Sequence, residues 1–151
     1  MTLRVGISAM PLTPDAITFV REAERLGADS VWVPEFWAAD ALTPLAYLAA
    51  STSTIRLATG IVQLGARTPA MLAMSALSLQ SLSGGRFVLG LATQVKPHIT
   101  RRFSMPWDAP VARLREFVDA LRHIFEAFQG EHPMDFAGRF YRHTLLHPMF
   151  N

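Results

Sequence analysis

The sequence contains no cysteine and almost no lysine. Of its 14 basic residues, Lys96 is the only lysine, and the formal net charge of the 151-residue chain is +2. The lack of cysteine excludes a disulfide framework, a thiolate metal site and a cysteine nucleophile, and is compatible with a reducing compartment, so we expect a cytoplasmic protein. The small charge argues against a nucleic-acid partner. Half of the residues are hydrophobic, which is typical of a globular chain.

No long, purely apolar segment is present either. The N-terminal region lacks a basic start followed by an apolar run, so we expect no signal peptide. Residues 68–85 carry no charge, but they contain one threonine, four serines and a glutamine and end in Gly84-Gly85. A membrane-spanning helix needs about 20 predominantly apolar residues. We therefore predict no membrane span.

Strand-like and helix-like segments alternate along the chain. Short apolar runs predict four strands, at residues 3–10, 29–35, 54–64 and 86–93. Helical spacing and end signals predict a helix after each strand. The first three helices open at Thr13-Pro14, Thr43-Pro44 and Pro69, and the fourth has an apolar stripe from Val111 to Phe128. Gly27, Gly84-Gly85 and Gly130 are the predicted end signals of the first, third and fourth helices. Residues 94–108 are predicted to form a long loop, and the tail after residue 133 a hairpin that turns at Gly138.

Four βα units of this kind predict an α/β fold with a parallel sheet that is covered on both faces. An open dinucleotide-binding fold would need G-x-G-x-x-G after the first strand, where the sequence has "GISAMPLTP". A TIM barrel needs eight such units in roughly 250 residues. We therefore expect residues 1–151 to be the N-terminal half of a TIM barrel and part of a longer domain.

Gly60 interrupts the otherwise apolar third strand, "RLATGIVQL". Glycine weakens a strand unless the backbone bulges there or something approaches it closely. A plain bulge, room for a neighbouring helix and a ligand-binding backbone all remain open. His143 and His147 are four residues apart, but Pro148 follows and no acid completes a ligand set, so we predict no metal site.

Three segments together resemble a known family. "AERLGADSVWVPE", "RLATGIVQLGARTPAMLAMSALSLQSLSGGRFVLGLAT" and "LREFVDALRHIF" resemble the bacterial luciferase-like monooxygenase superfamily. Within it, "TQVKPHITRRFSMPW" and "GRFYRHTLLHPMF" are similar to the deazaflavin-dependent oxidoreductase branch. The resemblance implies a TIM-barrel oxidoreductase or monooxygenase that uses coenzyme F420, with FMN as the alternative. Such an enzyme would transfer hydride or oxygen to a small-molecule substrate.

The resemblance also implies a role for the third strand. Deazaflavin-using members have a bulge with a non-prolyl cis peptide at its end, which supports the back of the cofactor ring. Thr59, Gly60 and Ile61 match that place, and Gly60–Ile61 is the predicted cis bond.

Further site residues are expected where the other strands end, because barrel enzymes work at the carboxyl ends of their strands. Glu35 is the candidate for proton transfer, and Trp37 can stack on a flat ring. Thr93 and Gln94 can donate hydrogen bonds to the ring or its ribityl chain. A solvated loop acid at Glu35 and plain loop polarity at Thr93 and Gln94 are the alternatives. The family's usual histidine is replaced by Phe36.

The second and third helices are rich in Ala, Leu, Met and Ser and carry little charge. In the family, helices on this side form a subunit interface. We therefore predict a homo-oligomer that associates through these two helices. A non-catalytic half-barrel that associates through them is the alternative function.

Overall fold

The computed structural model describes residues 3–10, 12–35 and 39–145. These residues form two compact units, the first from those up to residue 62 together with 75–92, and the second from 63–74 together with those from 93 to 145.

A parallel sheet of four strands is the centre of the first unit. Its order is β1 (Gly6–Ser8), β2 (Ser30–Val33), β3 (Arg56–Thr59) and β5 (Phe87–Val88). In the register, Ile7 lies beside Val31, and Val31 lies beside Leu57. Neighbouring residues of a parallel sheet share a face, so these apolar side chains lie on one face. The predicted α/β fold with a parallel sheet is confirmed.

The helices of this unit begin and end close to the predicted signals. Helix α1 (Pro14–Arg25) is capped by Thr13, whose hydroxyl accepts from the Ala16 N–H at 3.3 Å, and Gly27 follows it with φ +89°. Helix α2 comprises Leu42–Ser51, and α3 comprises Pro69–Leu82, of which residues 75–82 belong to this unit. Buried side chains of helices and strands form the core of the unit, among them Val20, Val31, Val33, Leu45, Leu48, Leu57 and Leu79.

The prediction that Thr43-Pro44 caps α2 was wrong. The helix begins at Leu42, and the carboxylate of Asp40 accepts from the N–H groups of Leu42 and Thr43, both at 2.8 Å. An acidic side chain in this position satisfies N–H groups that have no partner inside the helix.

All four predicted strands were too long, and the second is reduced to Ser30–Val33. The first is reduced to Gly6–Ser8. The third breaks after Thr59 and resumes as β4 (Val62–Gln63), followed by a 3-10 turn, Leu64–Ala66. The fourth breaks after Val88 and resumes as β6 (Leu91–Ala92). Both breaks contain a glycine, which agrees with the tendency of glycine to interrupt strands.

Two side chains of opposite charge hold the connection from α2 to β3. One carboxylate oxygen of Glu24 accepts from the N–H groups of Ser53, Thr54 and Ile55, at 2.6–2.9 Å. The guanidinium of Arg86 donates to the carbonyl oxygens of Ala49, Thr52 and Ile55 and to the Thr52 hydroxyl, at 2.9–3.1 Å. The backbone of this connection is therefore satisfied by side chains, although Ser53 and Thr54 are exposed.

The second unit contains two further helices. Helix α5 (Pro110–Phe128) buries Phe117, Leu121 and Ile124, as its periodicity predicts, whereas Val111 at its start is exposed. Residues 94–108 were predicted to be a loop, but they contain helix α4 (Lys96–Arg102). This short helix is polar except for the buried Ile99, so it lacks the apolar stripe that would have revealed it.

The tail forms the predicted hairpin, with β7 (Phe136–Ala137) antiparallel to β8 (Arg142–His143). The carboxylate of Glu116 on α5 accepts from the N–H groups of Arg139, Phe140 and Tyr141. A β-carbon at Gly138 would overlap that carboxylate, so a larger residue there would displace Glu116 from these hydrogen bonds. Across the residues that the structure describes, no helix is long and apolar enough to cross a membrane.

The three hydrogen bonds from the N–H groups of residues 53–55 to the Glu24 carboxylate, here called the Glu24 clamp, can be tested through the pKa of Glu24. Burial acts to raise its pKa, but the N–H groups of Ile55, Thr54 and Ser53 outweigh burial, and the pKa is lowered on folding. A carboxyl whose pKa is lower in the folded state stabilises the fold above its unfolded pKa, and this stabilisation is lost as the pH falls through the folded pKa.

We therefore expect Glu24→Gln to lower the free energy of unfolding at neutral pH by about 1–3 kcal/mol. The difference from wild type should shrink as the pH falls below about 4, which denaturant unfolding at a series of pH values would measure. Glu22→Gln is the control on the same helix, since Glu22 only pairs with the exposed Arg25. If the loss in free energy of unfolding caused by Glu24→Gln stayed constant with pH, the Glu24 clamp would not be the source of this stability.

Candidate functional site

Glu35 follows β2 by two residues and is buried, with 9% of its surface exposed. Its carboxylate accepts from the Ala41 N–H at 3.4 Å. The alternative of a solvated loop acid is therefore wrong. A carboxylate beside the end of a strand and shielded from water can hold or move a proton. Trp37, its predicted aromatic neighbour, lies outside the described residues.

Gly60 and Ile61 lie between β3 and β4, and the peptide bond that joins them is cis, as predicted. Gly60 is exposed, and its N–H donates to the carbonyl of Val33 at 2.8 Å. A β-carbon placed on Gly60 would lie 3.5 Å from Cβ and Cε3 of Trp32. The neighbour on that side is thus a strand residue and not a helix, so the alternative of room for a helix is wrong.

Trp32 was missed as a candidate, although the alternation in "SVWV" marks it. Val31 and Val33 are buried, whereas Trp32 is 41% exposed on the opposite face of β2. Its indole N–H donates to the Ser30 hydroxyl at 3.1 Å. The sheet therefore presents an accessible aromatic ring beside the exposed backbone of Gly60.

Thr59 is fully buried, and its hydroxyl is already engaged. It donates to the carbonyl of Gly90 at 2.9 Å and accepts from the Gly90 N–H at 2.8 Å. Its side chain consequently belongs to the interior of the unit. Gly90 was missed by sequence reasoning, although a glycine within the apolar run "FVLGLA" is the same signal that identified Gly60.

Thr93 and Gln94 belong to the second unit. The Thr93 hydroxyl donates to the Gln94 carbonyl at 3.1 Å, and the Gln94 side chain accepts from the Val95 N–H at 3.2 Å. Gln94 has φ +64°, a left-handed conformation that is uncommon for residues other than glycine. Thr93 also borders a small cleft together with Ile99, Trp107 and Arg113. Binding of a cofactor by these two residues stays a prediction.

Two histidines of the second unit, His123 and His132, have local hydrogen-bond partners. Both ring nitrogens of His132 face acceptors, Glu126 and the carbonyl of Pro133, and these hydrogen bonds raise its pKa. Nε2 of His123 accepts from the Asp135 N–H at 3.2 Å. Burial, together with the nearby His123, lowers the pKa of His143. Within ranges 3–10, 12–35 and 39–145, no three acidic or histidine side chains are grouped to hold a metal ion; His147 lies outside these ranges.

Comparison with known proteins decides the family. Residues 3–149 match the luciferase-like monooxygenase family. The chain belongs to this family. An uncharacterised protein of Mycobacterium tuberculosis is 46% identical over 127 residues, which cover 84% of this chain and 37% of that protein. A second M. tuberculosis protein, whose name proposes a coenzyme F420-dependent oxidoreductase, is 42% identical over 83% of this chain and 35% of its own length.

Solved structures of luciferase-like and related enzymes share the fold. A monooxygenase from Streptomyces bottropensis superposes with a TM-score of 0.79 at 26% identity, over 93% of this chain and 47% of that one. A type II Baeyer-Villiger monooxygenase of Pseudomonas putida in complex with FMN gives 0.79 at 17% identity, over 98% and 46%. The F420-dependent tetrahydromethanopterin reductase of Methanopyrus kandleri gives 0.76 at 21% identity, over 94% and 44%. The luciferase-like chain described here thus spans less than half the length of these relatives.

The residues at the end of β3 fit the flat conjugated ring that a luciferase-like fold implies. Gly60 exposes backbone without a side chain, and the half-exposed indole of Trp32 lies next to it. Planar aromatic surfaces favour stacked or edge contacts with such groups. Glu35 adds a shielded carboxylate at the end of the neighbouring strand β2.

Gly90 should tolerate no side chain. A β-carbon there would overlap the backbone carbonyl oxygen of Thr59, which cannot move aside without disturbing β3. We expect Gly90→Ala to lower the free energy of unfolding by about 2–4 kcal/mol, as strong overpacking does, measured by denaturant unfolding.

Gly65→Ala is the matched control. Its β-carbon would lie 2.7 Å from Cδ1 of Ile99, the movable end of a side chain, so its cost should be clearly smaller. Equal losses for the two variants would show that the contact between Thr59 and Gly90 is not rigid.

Proposed function

We propose that this chain is part of a cofactor-dependent oxidoreductase that acts on a small molecule, with coenzyme F420 as the cofactor and FMN as the alternative. The observation that carries the proposal is the exposed backbone of Gly60 beside Trp32 at the carboxyl end of the sheet. The M. tuberculosis relative named for coenzyme F420 supports the deazaflavin. Residues 1–151 would belong to one luciferase-like domain, and the absence of cysteine is compatible with a cytoplasmic location.

In this proposal the protein supplies position, shielding and a proton. Gly60 and Ile61 would support one face of the ring, because Gly60 offers backbone and no side chain. Glu35 would hold or move a proton at its carboxylate, which is shielded from bulk water. A bound deazaflavin would supply hydride transfer, and a bound flavin hydride or oxygen transfer. Thr93 and Gln94 are proposed as hydrogen-bonding residues for the ring or its ribityl chain.

Cofactor binding tests this proposal directly. Coenzyme F420 and FMN, each oxidised and reduced, are titrated into the intact gene product, and binding is followed by calorimetry. We expect coenzyme F420 to bind with a Kd of roughly micromolar order, and FMN to bind more weakly. Tighter binding of FMN would assign the alternative cofactor, whereas no binding of either would refute the proposed function.

Self-association through α2 and α3 is the second part of the proposal. Tyr47 on α2 and Met71 and Met74 on α3 are each more than half exposed, and neither helix carries a charged residue. Exposed apolar side chains on uncharged helices favour contact with another protein surface. If the cofactor titrations refute the proposed oxidoreductase, the alternative function is a non-catalytic half-barrel that associates through α2 and α3.

Sedimentation velocity tests this association. We expect the wild-type protein to sediment as an oligomer and Met74→Glu to shift it toward the monomer, since a buried unpaired charge is costly at an interface. Phe19→Glu on α1 is the control, because Phe19 is similarly exposed but lies on a charged helix. A monomeric wild type would rule out the interface.

A further inference from the structure

Two strands of the first unit are interrupted, and one side chain joins the interruptions. Strand β3 ends at Thr59 and β4 resumes at Val62, while β5 ends at Val88 and β6 resumes at Leu91. Backbone groups at such breaks lose the regular partners of a sheet. At Gly90 the Thr59 hydroxyl takes the place of these partners. It donates a hydrogen bond to the Gly90 carbonyl and accepts one from the Gly90 N–H.

The backbone on both sides of residues 60 and 61 is fixed to neighbouring strands. The Gly60 N–H donates to the carbonyl of Val33 on β2 at 2.8 Å. The Val62 N–H donates to the carbonyl of Gly90 at 2.9 Å, so this carbonyl receives hydrogen bonds from both Thr59 and Val62. Gly90 is thus the common partner of the residues before and after the exposed peptide.

The chemistry of the side chain at 59 is specific. The Gly90 N–H and the Gly90 carbonyl both bond to the same atom, the hydroxyl oxygen of Thr59. A side-chain hydroxyl can accept from the one and donate to the other through a single oxygen. A β-carbon at Gly90 would overlap the Thr59 carbonyl, so the two backbones approach closely. Because Thr59 is fully buried, its hydroxyl cannot exchange these partners for water.

We propose that Thr59 is a positioning residue for the cofactor site: through Gly90, its hydroxyl fixes the peptide of Gly60 and Ile61 against which the ring would bind. The inference rests on the proposed function, and it goes further by assigning Thr59 an indirect role in place of direct contact. Serine at 59 should preserve the role, and valine, which has the same shape without the hydroxyl, should abolish it.

The first measurement needs no cofactor. Amide hydrogen exchange is followed at Gly90 and Val62 in wild type, Thr59→Val and Thr59→Ser. We expect exchange at both amides to be at least about tenfold faster in Thr59→Val, because the Gly90 N–H loses its partner and the Gly90 carbonyl, to which Val62 donates, loses one of its two hydrogen bonds. Thr59→Ser should stay close to wild type. Unchanged exchange in Thr59→Val would overturn the proposal.

The second measurement is the Kd of coenzyme F420 and FMN for the same variants of the intact gene product. Thr59→Val should weaken binding of the preferred cofactor by about tenfold or more, with Thr59→Ser near wild type. Thr52→Val is the matched control: it removes another buried hydroxyl of this unit, bonded to Leu48 and Arg86, away from the break. It should lower stability and leave the Kd unchanged.

The two proposals fail in distinguishable ways. If wild type binds neither cofactor, the proposed function is refuted, and the role of Thr59 falls with it. If wild type binds and Thr59→Val binds equally well, the function stands and the positioning role is refuted. If Thr59→Val and Thr52→Val weaken binding equally, the effect is general destabilisation, and the positioning role is again refuted.

Discussion

The first unit depends on how it satisfies backbone groups where its sheet is interrupted. Neighbouring strands that break at corresponding points leave N–H and C=O groups without their usual partners, and burying such groups unpaired is costly. The Thr59 hydroxyl forms hydrogen bonds with both the N–H and the carbonyl of Gly90. This contact allows the chain to leave strand geometry at Gly60 and Ile61 without loosening the sheet, and it makes an exposed stretch of backbone compatible with a rigid surrounding.

Much of the fold could be predicted from the sequence, because its signals are local. The apolar runs that became β2 and β3, the Thr13 cap and the periodicity of α5 each depend on a few adjacent residues. The strand lengths could not be predicted, since an interruption depends on what a partner strand offers. Helix α4 could not be predicted, because Ile99 is its single buried side chain and one residue makes no apolar stripe. Asp40 was overlooked as a cap because Thr43-Pro44 is an equally good local signal.

The candidate site was predictable to a similar degree. Glycine within an apolar strand identified Gly60, and the family resemblance supplied the expectation of a cis bond. The burial of Glu35 could not be read from its neighbours in sequence, since the N–H that it accepts from belongs to Ala41, six residues further along the chain. The link between Thr59 and Gly90 joins residues 31 positions apart, so no local pattern contains it.

The connection held by Glu24 and Arg86 has a consequence for how this protein can diversify. Surface loops normally accept insertions, because their backbone is satisfied by water. Here the N–H groups of 53–55 and the carbonyls of Thr52 and Ile55 each face a specific side chain. An added residue would move these N–H and carbonyl groups away from the Glu24 carboxylate and the Arg86 guanidinium that bind them. Length variation among natural or designed sequences should therefore be concentrated elsewhere, and this short link should keep a constant length while its side chains vary.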